Sequence, residues 1–319
     1  MPDAVVPLSV RRGLRDPLPY SEGVPGHIRQ QAFSWLSERM GTRGFTVNVS
    51  MMIAHLAIPE GWERDFDNIR PLSLNVRVQK YCQSDDDAFL DVLDYILQQF
   101  VMNRLHGKTI QISRNDGERA GVRAVSNLAQ LLDAGRSCWR VGWTEEESDD
   151  SQVIHRRYCL ERRVTEAAES EYLRARGIGG KAGAKLTEAW HAAYGRTENP
   201  EQCWKASVAA VEAVLQPVVS PQNPSAGLGA IRGDIRAALH KWECDLPVWG
   251  DERKTWTDEK TASVEAFLSV LNRVTYEKGR HGGDDRAAEM REARAVLMVA
   301  VTIVEWVRDD VFRSAKRAP

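Results

Sequence analysis

A chain of 319 residues with 43% hydrophobic and 28% charged side chains has enough apolar material for a real core and, by length, for two domains. Its 43 Lys and Arg stand against 45 Asp and Glu, a net charge of −2, so a chain-wide basic footprint is excluded and any nucleic-acid contact must be a local patch. The five Cys are odd in number and never spaced as CxxC, which fits a reducing cytoplasm and argues against a structural zinc site.

Residues 1–25 carry Pro7, Pro17, Pro19 and Pro25 and read as an irregular arm. Met1 to Val10 lacks the basic start and long apolar run of an export signal, so a cytoplasmic location is expected. Ile28, Ala32, Trp35 and Leu36 fall at helical spacing and predict a helix over Gly26–Met40, ended by Gly41. Phe45 to Ile58 reads as a second helix, stopped before Pro59. Asp85, Asp86 and Asp87 make an acidic helix start, and Phe89, Leu93, Ile96, Leu97 and Phe100 give an apolar stripe to about Asn103. Lys108 to Ser113 alternates like a short strand, Gly121 to Ala134 returns to helix, and Ser137 to Trp143 reads as another strand. Glu145 to Asp150 reads as an exposed turn, and residues 155–175, rich in Arg and Glu, as a helix.

Residues 176–184 are glycine-rich and are expected to link an N-terminal domain, 1–175, to a C-terminal one, 185–319. A phosphate-binding loop fails there, because Gly180-Lys181 is followed by Ala182 and position 175 is Ala. The C-terminal part is helical throughout. Leu186 to Tyr194 forms one helix. Asn199-Pro200-Glu201 starts another, with a capping Asn and Pro at the first helical position, and Pro217 ends it. Ser225 to Trp242 is a third. Thr257-Asp258-Glu259 starts a fourth, burying Val264, Phe267, Leu268, Leu271 and Val274. Asp284 and Asp285 cap a fifth, with Ala293, Val296, Leu297, Ala300, Val301 and Val304 inward. The predicted fold is mainly α: a five-helix C-terminal bundle preceded by a mostly helical N-terminal domain with a few short strands. The most apolar run, Ala295 to Val304, is too short to span a bilayer, so no membrane association is expected.

The candidate site lies between the last two helices, in LNRVTYEKGRHGGDDRAAEMREAR, residues 271–294. Arg273 and Arg280 can hold a phosphate through forked hydrogen bonds, and His281 can exchange protons near neutral pH. Asn272, Lys278 and Gly282 complete a substrate-binding set, glycine allowing close backbone approach. These are the parts needed to cleave an RNA phosphodiester without metal or cofactor. A base removes a ribose 2′-OH proton, cations stabilise the phosphorane, and an acid protonates the leaving oxygen. The bland alternative is a solvated loop, since Glu277, Asp284, Asp285, Glu289 and Glu292 nearly balance the six Lys and Arg of the stretch. Elsewhere the chemistry is thinner. His55, beside Ile53 and Leu56, reads as a core or interface histidine. His106, His191 and His240 have no second ligand at helical spacing, Ser residues sit in no nucleophile elbow, and the carboxylates show no paired metal spacing.

The helix order from Lys185 onward, the segment AWHAAYGRTENPEQCWKASVAAVEAVLQPVV, and RHGG followed by EARAVLMVAVTIVEWV resemble the HEPN superfamily, in particular the C-terminal domain of abortive-infection phage-defence proteins. The likeness covers the last 140 or so residues. It implies an all-helical, usually dimeric domain that is often a ribonuclease, with an Arg-x4–6-His motif at the dimer interface. Here Arg273 and His281 are separated by seven residues, one more than that pattern, and Arg280 directly precedes the His. The expectation is an endoribonuclease with His281, Arg280 and Arg273 as catalytic residues, RNA as partner, a homodimer formed through the C-terminal bundle, and a phage or protein trigger sensed by the N-terminal domain. A non-catalytic HEPN-like scaffold, or a phage-encoded structural or regulatory protein, remains as the alternative.

Overall fold

The computed structural model describes residues 19–41, 48–58, 74–105, 116–147, 153–246, 256–275 and 288–315. The chain divides into two units, Met1–Arg163 and Val164–Pro319, and each is taken by itself.

The first unit is built on buried helix faces. Helix α1 (Gly26–Gly41) buries Ile28, Ala32, Trp35 and Leu36 at the predicted spacing. The Trp35 indole donates to the Ala124 carbonyl at 2.8 Å. Helix α2 (Val49–His55) is shorter than the apolar run suggests, because Asn48 caps it by accepting from the Met51 N–H. Helix α3 (Leu74–Ser84) precedes α4 (Asp86–Gln98), where Asp85 accepts from the Ala88 N–H at 2.6 Å and Asp86 and Asp87 occupy the positive end of the helix. Phe89, Leu90, Leu93, Ile96 and Leu97 on α4 are fully buried. The stripe ends earlier than expected: residues Val101–Leu105 form strand β1. Helix α5 (Asp116–Gly135), β2 (Trp139–Glu147) and β3 (Val153–Arg162) complete the unit.

The strands form an antiparallel sheet in the order β1-β3-β2. Tyr158 lies opposite Trp143, and Leu160 opposite Val141, on the face that packs against the helices. Glu161 and Arg140 are opposite each other on the other face, 3.4 Å apart. Pairing with β1 stops at Arg157, and the Leu160 N–H is taken instead by the buried Asp94 carboxylate of α4 at 2.5 Å. This corrects the expectation of a helix over residues 155–175. The first part is β3, and helix begins only at Glu166. The residue composition is helix-like, but Tyr158 and Leu160 alternate with Cys159 and Glu161, and the partner that selects that period is β2, remote in sequence. β2 also runs to Glu147, where a turn was expected. The strand expected over Lys108–Ser113 lies outside the described residues.

The second unit contains α6 (Glu166–Arg176), α7 (Gly180–Tyr194), α8 (Pro200–Val219), α9 (Leu228–Ala237), a 3-10 turn at Leu239–Lys241, β4 (Trp242–Cys244), α10 (Trp256–Thr275), α11 (Met290–Arg308) and β5 (Phe312–Ser314). The five predicted helices are α7 to α11, with α6 added in front. Asn199 caps α8 as read, its side chain accepting from the Gln202 N–H at 3.0 Å. The helix passes through Pro217 and ends two residues later, at Val219. The helix expected over Ser225–Trp242 is α9 alone. Its backbone leaves helical angles at Ala238, and Trp242–Cys244 pairs with β5 instead. Asp284 and Asp285 lie outside the described residues, and α11 starts after Glu289, whose N–H donates to Glu292. No helix among the described residues is long and apolar enough to cross a membrane.

The stretch 176–184, expected as a linker, is a tight helix-to-helix turn inside the second unit, followed by the first turn of α7. Gly179 has φ of 72°, a left-handed conformation that glycine adopts freely. A Cβ on Gly183 would lie 2.5 Å from the Arg176 carbonyl oxygen, so the two helices approach through it. Gly183→Ala is therefore expected to cost about 1–3 kcal/mol in urea unfolding, whereas Ala substitution at a flexible linker glycine would leave the midpoint unchanged.

Candidate functional site

Four helix ends come together at one end of the second unit: the last turns of α7 and α10 and the first turns of α8 and α11. An α-helix leaves its last four carbonyls without partners along the helix, and these ends supply them from neighbouring elements. The Ala193 carbonyl near the end of α7 accepts from Arg294 Nε at 3.1 Å and Nη2 at 2.9 Å. The same guanidinium pairs with Glu198 and lies 5.0 Å from the centre of the Tyr194 ring. The Asn199 N–H donates to the Ala192 carbonyl at 2.8 Å, tying α8 to α7. From the first turns of α8, the Trp204 indole donates to the Val274 carbonyl at 3.1 Å, and the Cys203 thiol to the Ala293 carbonyl at 3.5 Å.

Arg273 and Asn272 stand in the last turn of α10, at the negative end of its dipole, where a cation is favoured. Leu271 and Val274 on either side are fully buried, which sets the rotation of that turn. Asn272 is half-buried and Arg273 exposed. Among the described residues no carboxylate pairs with Arg273, whose guanidinium is a fork of donors suited to an anion. Lys278, Arg280, His281 and Gly282 lie outside the described residues. Of the expected site, the structure therefore places Asn272 and Arg273 side by side at the helix-end cluster.

Burial sets the remaining chemistry here. It pushes the Cys203 thiol up to about 12 and raises the Tyr194 hydroxyl, with Arg294 acting against it. Burial also pulls His191 below the usual imidazole range. His55, expected in a core or interface, is exposed at the end of α2, its ring 5.2 Å from that of Tyr95. His106 lies outside the described residues. The residues that sequence reasoning passed over are Cys203, Trp204 and Arg294. Their roles lie in reaching carbonyls on other helices, and spacing along one helix carries no sign of that.

No family model matches the chain, and neither a curated protein nor a solved structure does.

All five cysteines are free, and Cys138 alone is not fully buried. The thiolate is the reactive form, so a raised pKa together with burial protects a cysteine. Iodoacetamide at pH 8 is expected to label one cysteine in five on the native chain, Cys138, and all five in guanidinium, as read by mass spectrometry. Native labelling of Cys203 would mean that the contact of α8 with α11 opens readily.

Proposed function

We propose that the second unit is a HEPN-like domain that cleaves RNA phosphodiesters without a metal, in abortive-infection-type phage defence. The observation that carries the reading is Arg273, exposed in the last turn of α10 with no carboxylate partner among the described residues. It lies ahead of the RHGG sequence, one residue farther from His281 than the family pattern asks of its phosphate-binding arginine. The part of the chain that carries the resemblance holds five helices, α7 to α11, which is compatible with the reading. In this reading His281 takes the ribose 2′-OH proton, and the 2′ oxygen attacks phosphorus. Arg273 and Arg280 stabilise the phosphorane, and the 5′ oxygen leaves with a proton, giving a 2′,3′-cyclic phosphate and a 5′-OH end. Asn272, Lys278 and Gly282 hold the backbone of the RNA. A second copy of the chain docks through the helical unit, and the first unit responds to a phage or protein trigger.

One specific observation favours a second reading. The seven residues between Arg273 and His281 exceed the pattern by one, which suits a HEPN-like scaffold that binds RNA or a protein and does not cut.

The test is total RNA incubated with the full chain in EDTA. Wild-type cleavage is expected, with His281→Ala slower by at least about a hundredfold and Arg273→Ala slower by about ten- to a thousandfold, both at unchanged Tm. Equal cleavage by His281→Ala sinks the assignment. RNA retained but uncut by the wild type selects the scaffold.

A further inference from the structure

The bond from Trp204 to the end of α10 points to a residue that spacing along the chain does not single out. We infer that Trp204 is a positioning residue for Arg273, acting through its indole N–H. The inference rests on the ribonuclease reading above for its activity measurement, but not for its structural one.

Val274 is the next-to-last residue of α10, so its carbonyl has no partner within the helix. The indole of Trp204 donates to it at 3.1 Å from the first turns of α8. Arg273 is the neighbouring residue, exposed, on a turn whose flanking side chains Leu271 and Val274 are fully buried. Packing fixes the rotation of that turn about the helix axis. The indole bond acts on a different freedom, unwinding of the last turn, which packing alone resists poorly because helix ends fray. Trp204 is half-buried against the core, a place that Leu, Met or Phe would fill as well. Of the large apolar side chains only tryptophan brings an N–H donor.

The preceding residue does the matching work on the other side. The Cys203 thiol reaches the Ala293 carbonyl of α11, 3.5 Å away. Two consecutive residues of α8 thus hold the end of α10 and the start of α11. The position of Arg273 relative to α11 is set by one short piece of a third helix. Arg294 adds a latch of α11 onto the Ala193 carbonyl of α7. No side-chain hydrogen bond ties Arg273 to another described residue.

The experiment uses the full chain with Trp204→Phe, which keeps a ring and loses the donor. The first readout is amide exchange. Amides in the last turn of α10 are expected to exchange at least about tenfold faster, with the first half of α10 unchanged. The second is steady-state RNA cleavage well below the Tm. A kcat about tenfold lower with KM within twofold is expected, since misplacing a group that acts in the transition state costs rate more than binding. Unchanged exchange overturns the inference, whatever the RNA does. Faster exchange with unchanged kcat, while Arg273→Ala is inactive, also overturns it and leaves Trp204 as a packing residue. Arg273→Ala cutting as well as the wild type is a different failure: it removes the catalytic role of Arg273, and the positioning role falls with it.

Discussion

Helix α11 must be buried along most of its circumference, and that constraint orders the second unit. Ala293, Leu297, Ala300, Ile303 and Val304 are fully buried, and Val296 and Val301 nearly so. A helix with apolar residues spread this widely is stable only when surrounded, which here means α6, α7, α8 and α10. The one carboxylate on its buried surface is Glu305. It is held by Arg174 of α6 at 2.9 Å and by Arg308 one turn later. Burying a lone carboxylate would cost several kcal/mol, so α6 is attached to the unit by charge as well as by the stacking of Tyr172 on Trp190, 3.9 Å apart. Arg174 and Arg308 also sit by the negative end of the α11 dipole.

A central helix fixes where polar chemistry can occur. Along its length α11 turns most of its surface to neighbours and leaves exposed only the stripe of Arg291, Ala295 and Thr302. At its N-terminal end the surrounding helices end too, and their unpaired carbonyls have to be satisfied across helices. Arg294 and Trp204 do this for Ala193 and Val274, and the Cys203 thiol adds a contact to the Ala293 carbonyl in the first turn of α11. The same end presents Arg273, whose cation has no carboxylate partner among the described residues. Helix ends tied together around an exposed arginine suit an anion. The opposite end differs: Arg308 and Arg313 are each paired, with Asp309 and Glu305 and with Asp245 and Glu243.

The parts legible in the sequence were those whose cause is local. The Asn199-Pro200 cap, the acidic start of α4 and the apolar stripes of α1, α10 and α11 appear where spacing placed them, and the α4 stripe does so as far as Gln98. The misread parts have remote causes. Residues 153–162 are a strand because β2 lies alongside. Trp242 leaves the predicted helix because Ser314 pairs with it. Glycines at 177–183 mark close approach of two helices in one unit, and composition cannot tell that from a linker. For the site, Asn272 and Arg273 were legible as the polar end of an apolar-striped helix. Trp204 was not, since its indole could have met any acceptor, and the Val274 carbonyl is seventy residues away.

The charge of the whole chain bears on how such a site would meet RNA. At −2 overall the chain provides no long-range attraction, and surface fields beyond a Debye length of roughly 8 Å are screened at physiological salt. Capture then depends on the few cations at the helix-end cluster, and salt dependence grows with the number of phosphates they neutralise. Selectivity has to come from geometry: an arginine held at one place, able to stabilise charge only on a phosphate that reaches it. For a site of that kind, a fixed place for Arg273 would be worth more than additional positive charge.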